Sequence, residues 1–420
     1  MTRTARPPGL LEHDATRSAG PASWAAVALT ALALALACGG GISEAAPLPA
    51  PPSGPFAVDV RVTPPPPPGS VAVRLVPFAS GLVVPWGMAF LPDRRLLVTE
   101  KGGTLRLVSA DGKALSSVAG VPAVDASGQG GLMDVALDPR FAVNRRVYLS
   151  FSEPGTGTEA GLAGTAVFRA ELDAAASALA NGTVIFRQRP KVAGSGHYGS
   201  RLVFRRDGTL FVTLGERQKG APAQDLAGQL GKVVRIDTAG NPAAGNPDFG
   251  LSSSPHLWTA GHRNPQSAAL HPDTGDLWVT EHGPQGGDEV NLALPGRNFG
   301  WPTVSYGCNY GDPVGTACRI GRGVHAPTFA EPLAYWFPTS TAPGAMAFYT
   351  GDKFPEWRGN LFVGGLAGST LWRLRLDGTT VVGREALFPG VHEIRDLRQG
   401  PDGYLYLVAR DTNEILRVER

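Results

Sequence analysis

The chain has 420 residues, 55 of them Gly and 37 Pro, a share well above the roughly 12% usual in soluble proteins, which argues against long helices. The formal net charge is +2 with acids and bases interspersed. There is no basic stripe of the kind a phosphate backbone needs, which argues against a nucleic-acid partner.

Residues 1–37 read as an export signal: Arg3, Arg6 and Arg17 precede an apolar run from Trp24 to Ala37 that ends in small residues before Cys38. At 14 residues the run is short of the roughly 20 that span a bilayer. Leu34 to Cys38, LALAC, resembles a bacterial lipobox, so a lipid anchor at Cys38 is expected, with plain cleavage nearby as the alternative. An exported protein, periplasmic or on the cell surface, follows. Cys308 and Cys318 have nine residues between them in a Gly-rich loop, a loop that a disulfide closes readily in an oxidising compartment. Residues 38–70 are Pro-rich and read as an extended tether without a core.

From residue 71 to 420 one pattern recurs six times: a short alternating strand, a PD or PDG turn, a second strand rich in Leu, Val, Phe and Tyr, and a third ending in an R-V or R-L pair. The copies begin at Met88, Met133, Leu202, Ala268, Met346 and Leu397. Each is a meander that cannot bury both faces alone, so the repetition predicts an all-β, six-bladed β-propeller forming one domain. Closure is expected from Ala72 to Phe78 pairing into the blade that carries Ile415 to Val418, because an open ring would expose strand edges. Excess length falls between Ser152 and Arg201, Arg217 and Gly231, and Pro295 and Ala345. These are expected to be long loops gathered over one end of the channel, where sites are usually built.

Chemistry-bearing residues concentrate at those connections. His197, in SGHYGSRL, stands before the third repeat, and Glu216, in LGER, ends the following strand; a carboxylate at one ring nitrogen fixes a histidine's tautomer and raises its basicity. A solvated loop histidine is the bland alternative. Arg263 and Asn264 offer a planar fork and an amide, suited to a carboxylate or a developing oxyanion, or else only a turn before Pro265. Glu281 to Asn291, EHGPQGGDEVN, has carboxylates and a Gly-Pro step whose carbonyls suit a hard cation such as calcium, though the spacing is not that of an EF-hand. Gln129 stands among glycines, as if a backbone or ligand came close.

Taken in order, SGQGGLMDVALDP, SGHYGSRLVF, LGER, AGHRNPQ, EHGPQGGDEVNL, GRNFGWP and IRDLRQGPDGYLYLV resemble the soluble glucose/sorbosone dehydrogenases, the pyrroloquinoline quinone (PQQ) dependent aldose sugar dehydrogenases, from about Phe78 to Val418. The resemblance implies a six-bladed propeller that oxidises aldoses at the anomeric carbon to lactones and passes electrons to an external acceptor. It implies that His197 is the base, oriented by Glu216, while hydride passes to the quinone. It places Gln129, Arg263, Asn264 and Arg395 on cofactor and substrate, Gly283 and Pro284 on a calcium through their carbonyls, and Glu289 with the main chain of Phe299 on a further calcium. Two departures stand out: Ala367, in GGLAGST, and Glu393, in EIRD, replace a lysine and an arginine that would face the cofactor's carboxylates. Weakened PQQ binding is therefore expected, and a surface propeller that binds glycans or another partner without catalysis becomes an alternative. A calcium-dependent lactonase is a third reading, which would need three or four protein ligands on one metal.

Overall fold

The structure, a computed structural model, describes residues 54–59 and 67–420; the expected export signal and Cys38 lie outside the described residues. Six antiparallel sheets follow one another along the chain. Blade 1 runs through Pro85–Phe90, Leu96–Glu100, Thr104–Val108 and Leu115–Val118, and blade 2 through Leu132–Leu137, Arg146–Pro154, Ala163–Leu172 and Leu179–Arg187. Blade 3 comprises Gly199–Phe204, Leu210–Leu214, Lys232–Ile236 and Leu257–Ala260; blade 4 comprises Pro265–Leu270, Leu277–Glu281, Asp288–Leu292 and Ala334–Trp336. Blade 5 is Pro343–Phe348, Leu361–Gly365, Leu371–Asp377 and Thr380–Leu387. Blade 6 is Ile394–Gln399, Leu405–Ala409 and Glu414–Glu419, completed by Arg74–Ala79 from the start of the domain.

That last pairing closes the ring as expected, with Leu75 opposite Val418 and Val76 opposite Arg417. The first strand of each blade packs against the first strands of its two neighbours, so six inner strands surround one axis. The PD and PDG turns hold their shape by a local device: the carboxylates of Asp93, Asp207 and Asp402 each accept the backbone N–H two residues on. Tight turns therefore close one end of the ring. The opposite end holds the entries of the inner strands, and in all six blades the pairing of that strand is irregular within its first few residues. Bulges of this kind bend a strand and re-aim its side chains.

Two expectations need correction. The excess between Ser152 and Arg201 is not mainly loop: it lengthens the outer strands of blade 2, with Ala163–Leu172 and Leu179–Arg187 spanning ten and nine residues. Phe56–Val58, within the stretch read as a tether, is a fifth strand of blade 4, parallel to Ala334–Trp336. Val58 is fully buried against Trp278 and Trp336, so burial of one apolar side chain overrides the extended, solvated habit of its Pro-rich surroundings.

The channel is plugged rather than open. Arg201, buried at its centre, donates from Nη1 to Asp134 (3.1 Å) and Asp396 (2.9 Å) and from Nη2 to the Gly344 carbonyl (2.9 Å). Arg398 adds bonds to the same two carboxylates at 2.9 and 3.1 Å, while Asp134 and Asp396 also accept the backbone N–H groups of Leu202 and Met88. Two cations and two anions thus tie blades 1, 2, 3, 5 and 6 together beneath the site, every carboxylate multiply hydrogen-bonded, as burial of charge demands.

Candidate active site

At the irregular end, the segment before the inner strand of blade 3 sets His197 at φ 48°, an uncommon value for a non-glycine residue. It is held there from several sides. Its backbone N–H donates to Gln129 Oε1 at 2.8 Å, and a side chain at Gly215 would meet the His197 carbonyl at 2.1 Å, so the two segments touch only because residue 215 is glycine. Arg217, fully buried, donates to the carbonyls of Gly196 (2.9 Å), Ala163 and Gly194 and stacks on Tyr198 at 3.7 Å, bracing the loop on both sides of His197.

His197 Nδ1 lies 2.6 Å from Glu216 Oε1. The other carboxylate oxygen accepts the backbone N–H groups of Lys219 and Gly220, the latter at 2.8 Å. Burial alone would raise the Glu216 pKa, but the bond from His197 and the two backbone donors outweigh it and hold the group below the ordinary value. With a carboxylate at Nδ1, the neutral ring carries its proton there and keeps the lone pair on Nε2. Burial, aided by the charge on Arg263 and opposed by Glu216, lowers the His197 pKa below its ordinary value. The imidazole is therefore neutral at neutral pH, the form that accepts a proton.

The His–carboxylate pair is a position of the repeat. His262 Nδ1 meets Glu281 Oε1 at 2.8 Å in blade 4 and His392 Nδ1 meets Asp411 Oδ2 at 3.0 Å in blade 6, each with the sequence separation of 19 that relates His197 to Glu216. Their surroundings separate them. His262 is fully buried and occupied at Nε2 by Thr259 (2.8 Å), and His392 lies at the surface, whereas His197 lines an open cleft of about 510 Å³.

Gln129, Arg263, Gly283 and Pro284 line that cleft with His197, as do Tyr310, Val314 and Ala367. Arg263 Nη1 donates to the carbonyls of Gly283 (2.7 Å) and His282 (3.2 Å), its guanidinium lies 5.2 Å from the Trp301 ring, and its buried Nε has no partner among the described residues. Asn264 does not reach the cleft wall: it is fully buried, accepts the Gly199 N–H at 3.1 Å, and leaves Nδ2 unpaired. Asp288 serves the backbone, accepting from Gly283 N–H (2.8 Å), Thr341 N–H (2.6 Å) and Ala342 N–H (2.7 Å), which knits the Gly-Pro turn to the entry of blade 5.

Glu289 and Phe299 line, with Arg263, Gly283 and Glu281, a small cavity of about 10 Å³. Glu281 is well satisfied, accepting from His262, from Asn291 (2.8 Å) and from Arg263 N–H (2.6 Å). Glu289 has one donor, Asn291 at 3.2 Å, and its pKa is raised well above the ordinary value by burial and then by the neighbouring Glu281. Among the described residues no group of three or more His, Cys, Asp or Glu forms a metal cluster.

Arg395 lines an adjoining cavity with Trp86, Lys101, His282 and Arg410. Trp86, Lys101 and Arg410 were invisible to sequence reasoning because each stands at the end of a different strand. Glu393 needs correction: its carboxylate is bound by Arg410 at 2.7 Å, and it is Arg410 that lines the cavity. The Cys308–Cys318 disulfide is formed, and the loop it closes carries Tyr310 and Val314 over the cleft.

The sequence profile of the Glucose / Sorbosone dehydrogenase family matches residues 82–417. The chain belongs to that family. Aldose sugar dehydrogenase YliI of Escherichia coli K12 is 42% identical over 340 residues, 80% of this chain and 89% of that protein. Quinoprotein glucose dehydrogenase B of Acinetobacter calcoaceticus is 27% identical over 410 residues, 79% and 84% of the two chains. The apo-form structure of the soluble aldose sugar dehydrogenase from E. coli superposes with a TM-score of 0.76 at 39% identity, covering 83% of this chain and 99% of that one. The PQQ-bound form of an aldose sugar dehydrogenase from Streptomyces coelicolor gives 0.69 at 29%, covering 84% and 99%. As a glucose/sorbosone dehydrogenase the chain is an oxidoreductase acting on sugars, which removes the non-catalytic alternative.

Proposed function

We propose that this dehydrogenase oxidises aldoses at the anomeric carbon to the corresponding lactones, with PQQ as cofactor, calcium as its companion ion and an external electron acceptor. The observation that carries the reading is that the His197–Glu216 pair, Gln129 and Arg263 meet at one open cleft. Cationic donors short of anionic partners lie in and beside that cleft: Arg263, whose buried Nε has no acceptor among the described residues, and, in the adjoining cavity, the buried Arg395 guanidinium, which meets the Gln266 side-chain oxygen but no carboxylate among the described residues. Such a set fits an acidic, carbonyl-rich molecule better than a neutral one, which would leave the cations unanswered.

PQQ, when bound, supplies a quinone that accepts two electrons from the sugar carbon. The protein does the rest. His197 Nε2 takes the proton of the anomeric hydroxyl, and Glu216 stabilises the imidazolium that forms while holding the ring in place. Arg263 supplies positive charge where negative charge develops, in a site partly withdrawn from water.

For calcium, the poorly satisfied Glu289 carboxylate beside the main chain of Phe299 suits a cation. The Gly283 carbonyl is taken by Arg263 in this structure, so the cleft-side site with Pro284 is supported by composition only. Export and anchoring at Cys38 belong to the same reading, supported by a disulfide of the kind that forms in oxidising compartments. The test is reconstitution of the apo protein with PQQ and calcium, followed by turnover of an aldose panel with an artificial acceptor. Turnover that needs PQQ supports the reading; bound PQQ without turnover of any aldose overturns it.

A further inference from the structure

The cavity beside the catalytic cleft, about 250 Å³, shares Gln129 and His282 with it and is walled by Trp86, Lys101, Arg395 and Arg410. Its charge is lopsided. Arg395 is 8% exposed and its Nη1 meets the Gln266 side-chain oxygen at 2.5 Å, with no carboxylate in contact among the described residues. Burial, and then the nearby Arg201, push its pKa down to about 9, the mark of a guanidinium held without a counterion. Lys101 and Arg410 add two charges: Lys101 Nζ donates to the Ala126 carbonyl and meets no carboxylate among the described residues, and Arg410 is bound to Glu393 at 2.7 Å. A sugar hydroxyl has no use for three cations. A carboxylate has.

We propose that Lys101 and Arg410 join Arg395 as the basin that receives a carboxylate of the cofactor, replacing the two cations lost at Ala367 and Glu393. The inference rests on PQQ being the cofactor. It reverses the expectation of weak binding, because the family's missing charges are resupplied from other strand ends: Lys101 follows the second strand of blade 1 and Arg410 the second strand of blade 6, the blade whose first strand Glu393 precedes. An acidic sugar would present the same carboxylate chemistry, and the experiment separates the two sources. Continuity with the cleft at Gln129, on which the His197 backbone is hung, favours the cofactor, which must lie against both.

PQQ is titrated with calcium into apo wild type, Lys101→Met, Arg410→Gln and the double variant, followed by tryptophan quenching and calorimetry at low and high salt. A charge-assisted bond at a partly exposed site predicts roughly tenfold weaker binding for each single variant and about 100-fold for the double, with a shallower salt dependence. Glu393→Gln added to Arg410→Gln recovers only the part due to the freed carboxylate, and Ala367→Lys recovers part of the double variant's loss. Circular dichroism confirms that each variant is folded. Wild-type affinity in the folded double variant overturns the proposal while leaving PQQ in place. A higher KM confined to uronic acids, with PQQ binding unchanged, assigns the basin to substrate and equally overturns it. Absence of PQQ binding by wild type removes both this inference and the cofactor reading beneath it.

Discussion

Replacing Glu216 by Gln alters the charge behind His197 with little change of shape. The two groups lie 2.6 Å apart, with side chains 8% and 2% exposed, so solvent screens the contact little. A charge-assisted hydrogen bond of this kind contributes about 1.5–3 kcal/mol, and it strengthens as the ring becomes an imidazolium. Its loss should lower turnover roughly 10- to 100-fold. The sign of the pH effect is opposite to that of simple damage. Glu216 raises the His197 pKa against burial, so without its charge the ring protonates less readily and the acid limb of the pH–rate profile moves to lower pH. The amide also sets an NH2 against either His197 or the N–H groups of Lys219 and Gly220, which should reduce stability by about 1–3 kcal/mol. The assay is the kcat profile of the PQQ-reconstituted enzymes from pH 4 to 8, an order-of-magnitude window about the ordinary histidine value. An unchanged rate with an unmoved acid limb would refute the role given to the pair.

In the wild type, activity should hold through neutral pH and fall only below the ordinary histidine value of about 6.5, because burial lowers the His197 pKa; a limb above that value contradicts the assignment. His197→Ala should lower turnover at least about 100-fold while PQQ affinity, read by titration, stays nearly intact. Asp134→Ala strips Arg201 and Arg398 of one of two shared partners and should destabilise the fold by about 3–5 kcal/mol in urea unfolding; a change below 1 kcal/mol would mean that the channel plug relaxes freely, on the order of an exposed pair. Replacing Cys308 and Cys318 by Ser should cost about 2–3 kcal/mol for so short a loop, read the same way.

The ring was legible because every blade repeats a turn between its first two strands, and in blades 1, 2, 3 and 6 an Asp of that turn accepts the backbone N–H two residues on, a local signal that survives any context. Closure through Leu75 and Val76 followed from the need to cover an edge. Phe56–Val58 was not legible, since its single buried valine sits among prolines that say only extended chain. His197 and Glu216 could be paired from their motifs, but His262–Glu281 and His392–Asp411 show that the pairing is scaffold geometry, and only packing tells which histidine faces a cleft. Glu393 misled because its partner Arg410 is 17 residues away across a hairpin. Lys101 and Arg410 carry no motif at all: they become neighbours only when blade 6 closes on blade 1.

The most direct measurement is a single turnover without acceptor. Apo protein is loaded with one equivalent of PQQ and calcium, excess aldose is added, and the absorbance of the bound quinone is followed by stopped flow. Conversion to the reduced spectrum in wild type, slowed about 100-fold or more in His197→Ala, is the predicted result. A quinone that stays oxidised in the presence of every aldose tried, while bound to folded protein, would contradict PQQ-dependent sugar oxidation by this chain.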